Sequence, residues 1–194
     1  MGIREDLEAF HPQCEQEEAD RAFILRQLDG DPNAFDRCAP AHMTASIWTV
    51  DSTFSQTLLE YHNIYDSWSW IGGHADGQRD LKAVALRELA EETGVSDARI
   101  VECGPGEIFS LEVLTVDGHV KKGRYVSSHL HLNVTYLAVA DPASPLSLAP
   151  NEISGLRWAS LDDAIRLSSE PWIRDNVYRK LINKTRSLAH QFAV

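Results

Sequence analysis

The chain has 194 residues, 43% of them hydrophobic, and a formal net charge of −11. That size and apolar content suffice for one ordinary globular core, alone or with an appended helical segment. The acidic balance argues against a broad surface for nucleic-acid duplexes, which needs excess Lys and Arg, and no apolar run approaches the roughly 18 residues that span a bilayer.

The three cysteines, Cys14, Cys38 and Cys103, are far apart and form no CxxC pair. They point neither to structural zinc nor to a disulfide scaffold. The first twenty residues are acidic and lack the basic and apolar regions of a secretory signal, so the expected location is cytoplasmic.

In chain order, residues 3–10 and 14–29 read as helices. In the second, Ala19, Ala22, Phe23 and Leu28 recur at helical spacing, and Gly30 with Pro32 ends the run. Residues 29–40 read as a loop. Residues 1–40 are therefore expected to form a helical extension packed on a domain of residues 41–194. From Met43 the texture becomes β-branched and apolar, and MTASIWTV and TLLEYH read as strands. A third short strand is expected at 67–71, then a helix at about 80–93 closed by Gly94 as a left-handed cap. Strands follow at 108–116 and 129–139, separated near Asp117-Gly118. A Pro/Ser loop covers 141–150. A strand near 156–158, a short helix from Leu161 and a C-terminal helix after Pro171 complete the reading. Mixed strands and helices of this kind form a sheet packed between helices.

The informative segment is Gly72–Val95, GGHADGQRDLKAVALRELAEETGV. At about 100° per residue, Glu88, Glu91 and Glu92 share one helical stripe, because i, i+3 and i+4 are neighbours. Three carboxylates so placed repel one another unless a cation sits among them. Hard oxygen ligands suit magnesium or manganese rather than zinc. A bare glutamate run is usually a solvated face. Here Leu81, Val84 and Ala85, with Leu86, Leu89 and Ala90, make the same helix apolar on two sides, so it is expected to be covered on two sides.

The run Arg87–Val95, with Gly73 upstream, resembles the Nudix box, G-x(5)-E-x(7)-R-E-U-x-E-E-x-G-U with U aliphatic; eight of its nine specified positions match. Trp68 followed by Gly72-Gly73 is similar to the W-x-x-P-G-G lead-in of many members, with Ile71 in place of proline. The resemblance in element order runs from about Met43 to Ala164 and leaves the first forty residues unexplained. It implies an α/β fold, a Nudix-type α/β/α sandwich with a mixed sheet, here with an N-terminal helical extension and a C-terminal helix.

The resemblance also implies an activity: divalent-metal-dependent cleavage of a pyrophosphate bond, in a nucleoside diphosphate linked to another moiety. The implied cofactor is Mg2+, or Mn2+. The implied metal ligands are the Gly72 carbonyl with Glu88, Glu91 and Glu92. Glu88 would take a proton, and Arg87 would orient the glutamates. The expected partner is a small phosphorylated, nucleotide-derived substrate, with no nucleic-acid duplex and no membrane; a homodimer is left open. One box position departs: Arg79 stands where the family has its first glutamate. Asp76 and Asp80 are the nearest acids to take that role. Arg79 thus supports a second reading, a catalytically weak Nudix domain that binds a nucleotide-like ligand as a sensor. An isomerase of the isopentenyl diphosphate type is disfavoured, because no cysteine lies where its acid–base thiol is needed.

Outside the box, alternation puts His129, His131, Asn133 and Thr135 on one face of a strand and Leu130, Leu132, Val134 and Tyr136 on the other. Two histidines on a polar face could line a substrate pocket or, with His74, bind metal. His74 and His131 are the candidate substrate contacts. Glu152 resembles an acid that often precedes the R-W segment in Nudix proteins, a candidate base, metal ligand or substrate contact. The substrate itself is not readable: Ser110, Leu111 and Glu112 occupy the region where a proline or tyrosine marks particular family members.

Overall fold

Elements form where the residue pattern satisfies both the backbone and the core. The computed structural model describes residues 2–121, 123–148 and 153–192. In chain order these are helices α1 (Ile3–Ala9) and α2 (Glu15–Gly30), then strands β1 (Ala41–Val50), β2 (Gln56–His62), β3 (Ser67–Ser69) and β4 (Ile71–His74). Helix α3 (Leu81–Thr93) precedes β5 (Arg99–Ile100), β6 (Ile108–Val116), β7 (His119–Lys121), β8 (Arg124–Val126), β9 (His129–Val139) and β10 (Ile153–Ser160). Helices α4 (Leu161–Leu167) and α5 (Arg179–Phe192) follow, α5 entered through a π-helical turn at Ile173–Tyr178. The class is mixed α/β, as expected.

Two units can be distinguished: Met1–Ser46 with Gly72–Ala85 and Glu102–Tyr136, and Ile47–Ile71 with Leu86–Val101 and Leu137–Val194. In the first, β6 pairs antiparallel with β9 from Ile108↔Tyr136 to Val116↔His129, with an irregularity between Ile108 and Ser110. The other side of β6 meets α2 side chains. Asp20 accepts from the Val113 amide at 2.8 Å, and the Gln16 amide donates to the Leu111 carbonyl at 3.0 Å. An edge strand left open would offer these groups to another chain, so the N-terminal helix satisfies hydrogen bonds that the sheet does not.

The first unit also buries a polar network rather than a purely apolar core. Glu17 and Glu112 are both fully buried. The Ser110 hydroxyl lies 3.0 Å from Glu17 and 2.5 Å from Glu112. Asn133 and Thr135 donate to Glu112 at 3.0 and 2.9 Å, and Thr44 and Ser46 donate to the Asn133 carbonyl at 3.0 and 2.8 Å. On the polar face of β9, Asn133 and Thr135 are thus buried, while His129 and His131 are half-buried. Buried polar groups are tolerable where each finds a partner.

In the second unit, β10 pairs antiparallel with β2 from Ile153↔His62 to Ser160↔Gln56, β3 lies on β2 from Glu60↔Ser69 to His62↔Ser67, and β1 meets β2 at Val50↔Thr57. Trp48 is fully buried; its indole donates to Thr185 at 3.1 Å and its ring lies 5.7 Å from that of Tyr178. Tyr178 in turn donates to the Trp68 carbonyl at 2.9 Å. Trp48 thus serves the core, Trp68 is half-buried, and Trp172 is about half exposed.

Two features go beyond the sequence reading. Strands β7 and β8 pair as a hairpin whose Val120 and Tyr125 are exposed; strands of three residues are too short to show an alternation. The single strand expected at 67–71 is two strands, β3 and β4, the second carrying the chain through Gly72-Gly73 to His74. Among the described residues no helix is long and apolar enough to cross a membrane.

Candidate functional site

Helix α3 begins where Asp80 accepts from the Ala83 amide at 3.0 Å, an N-terminal cap. It ends at Gly94, whose φ of +78° favours glycine. Leu81, Val84, Ala85 and Leu89 are buried along one stripe. Leu86 and Ala90 are half-buried, so the second apolar side is covered only in part. Glu88 and Glu92 are half-buried and Glu91 is exposed. Arg87 donates from Nη2 to Glu88 Oε1 at 2.8 Å, within the second unit. Glu88 is the glutamate of the stripe that this bond holds.

Gly72 is packed where a side chain has no room. A Cβ there would collide with the Ser46 hydroxyl and come within 2.8 Å of the Ala45 carbonyl. The carbonyl role expected of Gly72 rests on the resemblance alone. Arg79 is exposed, its guanidinium 4.6 Å above the Phe35 ring. The two acids expected to compensate for it are engaged in their own unit: Asp80 caps α3, and the Arg37 guanidinium grips Asp76 with two nitrogens. Glu152 lies outside the described residues.

The histidines converge more tightly than the sequence shows. His42 on β1, His74 on β4, and His129 and His131 on β9 form a group whose ligand atoms all lie within 4.8 Å of one another. Among the described residues it is the one such group of His, Cys, Asp and Glu. His42 is buried, and the other three are half-buried. Ring centroids of His74 and His131 are 4.9 Å apart, and those of His42 and His131 are 5.1 Å apart. Burial, then Arg37 and His42, push His74 down to about 4. Burial, then His74, His42 and His129, push His131 down to about 2. Burial also lowers His42, against the Ala39 carbonyl bond that raises it. These three imidazoles are neutral at physiological pH.

Sequence reading singled out His74 and His131 and placed His129 on the same strand face as His131, but missed His42. A lone histidine at the start of a strand carries no spacing signal. Six of the chain's eight histidines fall in strands, so strand placement alone does not mark out these four.

Comparisons with known proteins agree with this architecture. The NUDIX domain family model matches residues 42–181. No curated protein sequence matches the chain significantly. Among solved structures, a C. elegans Ap4A hydrolase in a binary complex aligns with TM-score 0.55 at 20% identity, covering 77% of this chain and 98% of that one. The E. coli dihydroneopterin triphosphate pyrophosphohydrolase aligns with TM-score 0.53 at 13% identity, covering 75% and 97%. The NUDIX domain of Shewanella oneidensis NrtR, complexed with ADP ribose, aligns with TM-score 0.50 at 18% identity, covering 84% and 96%. At such identities the likeness shows the fold, and it bears out the α/β/α sandwich with a mixed sheet. With the box on α3 and a family match across most of its length, the chain belongs to the Nudix family.

Proposed function

We propose that the chain is a divalent-metal-dependent hydrolase that splits a pyrophosphate bond in a nucleoside diphosphate linked to another moiety. The family match supports the coarser statement, a pyrophosphohydrolase-type activity. The observation that carries the finer one is the set Glu88, Glu91 and Glu92 on a single stripe of α3, with Arg87 bonded to Glu88.

The donor set fits the implied ion by type: three carboxylates at i, i+3 and i+4 offer hard oxygens and negative charge that favour Mg2+. Glu88, Glu91 and Glu92 would hold it. When bound, the ion supplies Lewis acidity at a phosphoryl oxygen. The chain's own residues do the rest. Arg87 fixes Glu88 through Oε1 by a charge-assisted bond. Glu88 Oε2 is the atom we assign to take the proton of the attacking water, with Glu152 as a further candidate acid–base group. The substrate is small, phosphorylated and nucleotide-derived, the class on which a net charge of −11 imposes reliance on a bound cation.

A panel of nucleoside diphosphate derivatives, incubated with Mg2+ and assayed for phosphate after phosphatase coupling, tests this reading. We expect turnover of at least one member, lost on chelation and in a Glu88→Gln/Glu91→Gln/Glu92→Gln variant. No Mg2+-dependent turnover across the panel would overturn it. Arg79, exposed above Phe35 where the family carries a glutamate, favours one second reading: a domain that binds such ligands with little catalysis. Binding without turnover is its signature.

A further inference from the structure

Four histidines gathered without a carboxylate are unusual for a chain with 29 acids and 18 Lys and Arg. Their tautomers follow from their neighbours. His42 Nδ1 lies 2.7 Å from the Ala39 carbonyl, and His129 Nδ1 lies 2.8 Å from the Ser127 carbonyl. A carbonyl only accepts, so both Nδ1 atoms carry the hydrogen. In the neutral rings, Nε2 of His42 and of His129 is then a bare lone pair. His42 Nε2 is buried and has no hydrogen-bond partner, which leaves a desolvated acceptor uncompensated. His129 Nε2 faces His131 Nε2 at 3.2 Å. Two imidazole nitrogens on one tetrahedral ion, each about 2.0–2.1 Å from it, stand about 3.3 Å apart.

We propose that His42, His74, His129 and His131 form a four-imidazole site for a zinc-class divalent transition-metal ion. Its donors differ in kind from the glutamates of α3. Imidazole suits zinc and its neighbours in the first transition row, whereas Mg2+ selects oxygen. The two Nδ1–H bonds to backbone carbonyls are the orienting contacts that metal-bound histidines characteristically make. The scaffold is fixed around them: the Ala75 amide bonds to the Met43 carbonyl at 3.1 Å, and the Leu130 amide to the Pro40 carbonyl at 2.8 Å. Each of these bonds sits one residue from a ligand, so β1, β4 and β9 hold the rings near one another before any ion arrives. Asp76, two residues past His74, is gripped by Arg37.

The site also explains why His74 and His131, read as candidates for either substrate or metal, meet two further imidazoles. An ion there would tie β1, β4 and β9 together and give the buried His42 Nε2 a partner. The bland alternative is a hydrogen-bonded imidazole cluster, in which His131 donates to His129 and no ion binds.

The test uses the full chain, stripped with chelator and titrated separately with Zn2+ and with Co2+ as a coloured stand-in. We expect one equivalent of Co2+ to give the intense visible bands of a tetrahedral nitrogen site, and one equivalent of Zn2+ to displace it. His131→Gln and His74→Gln should each weaken binding at least a hundredfold, while the triple Gln variant of Glu88, Glu91 and Glu92 keeps it. Circular dichroism and melting curves establish that each variant is folded; for any that is not, X-ray absorption on the zinc-loaded wild-type chain decides instead. Four nitrogen neighbours at the zinc support the site, and an oxygen-dominated shell overturns it. No binding by the wild-type chain, binding undiminished in both folded histidine variants, or loss in the glutamate variant would each overturn it as well. Because none of these readouts uses turnover, failure here and failure of the hydrolase reading are separately visible.

Discussion

The glutamates of α3 and the histidines of the first unit are both clusters of potential metal ligands, yet they are built in opposite ways. The glutamates come from five consecutive residues, 88–92, and their relation follows from the rise and turn of one helix. The histidines come from three strands separated by tens of residues, and their relation exists only after pairing. The glutamates remain partly solvated, with Glu91 exposed, whereas the histidines sit where charge is expelled. A helix can announce a site in its sequence; a set of strands hides one until the register is known.

The sharpest way to break the comparison is through the glutamates. Glu91→Gln and Glu92→Gln should each lower Mg2+-dependent turnover by on the order of a hundredfold or more, because a negative ligand is lost without a change in volume. Zinc content and the Co2+ spectrum should not move. Near-normal rates in both variants would remove these residues from the reaction.

The same contrast explains what could be read in advance. The α3 boundaries and the span of β9 were legible because α3 carries a 3.6 period closed by Gly94 and β9 alternates with period 2 from His129 to Tyr136. The Nudix box was legible because Arg87, Glu88, Glu91 and Glu92 are fixed by short spacing. His42 was not, since nothing local distinguishes a ligand histidine from a core one. Nor was the capture of β6 by α2 visible: Gln16 and Asp20 read as ordinary polar helix residues, and only the position of β6 gives them work. The hairpin β7–β8 escaped because its strands are three residues each and none of their side chains is fully buried.

A second prediction concerns stability. Zinc at a hundredfold above its dissociation constant should stabilise the wild-type chain by about 2.7 kcal/mol, or roughly 5–10 °C in a protein of this size. Scanning calorimetry of wild type and His131→Gln checks it: a shift of equal size in both would assign the stabilisation elsewhere. Mg2+ should show the reverse dependence, shifting wild type and His131→Gln alike but not the triple glutamine variant.

Gly72→Ala perturbs β4 without touching a histidine. The added methyl meets Ser46 and the Ala45 carbonyl, and overpacking of this kind costs about 1–3 kcal/mol. We expect a lower melting temperature by chemical or thermal unfolding and a weaker Zn2+ titration, since His74 lies on the same short strand. Unchanged stability would mean that β4 can move away from β1 at little cost.

The smallest effect is expected at Arg79. By family resemblance this is the position of a bracing glutamate, and Arg79→Glu changes the local charge by two units. Two features limit the gain. Arg79 is exposed, so salt screens it, and its guanidinium stacks on Phe35, a contact worth about 0.5–1 kcal/mol at an exposed site. Exposed charges typically couple by about 0.2–1 kcal/mol, which corresponds to an Mg2+ titration tighter by about 1.4- to fivefold at low salt, fading as salt is raised. Asp80 separates the competing explanations. If its work is to cap α3, as the bond to Ala83 indicates, then Asp80→Asn should leave both stability and Mg2+ affinity nearly unchanged, because asparagine caps as well as aspartate. If Asp80 instead supplies the missing negative charge, the same variant should lose Mg2+ affinity, and Arg79→Glu should restore it in the double variant. Isothermal titrations of the two single variants and the double form the cycle, and a coupling of zero would assign Asp80 to the helix cap alone.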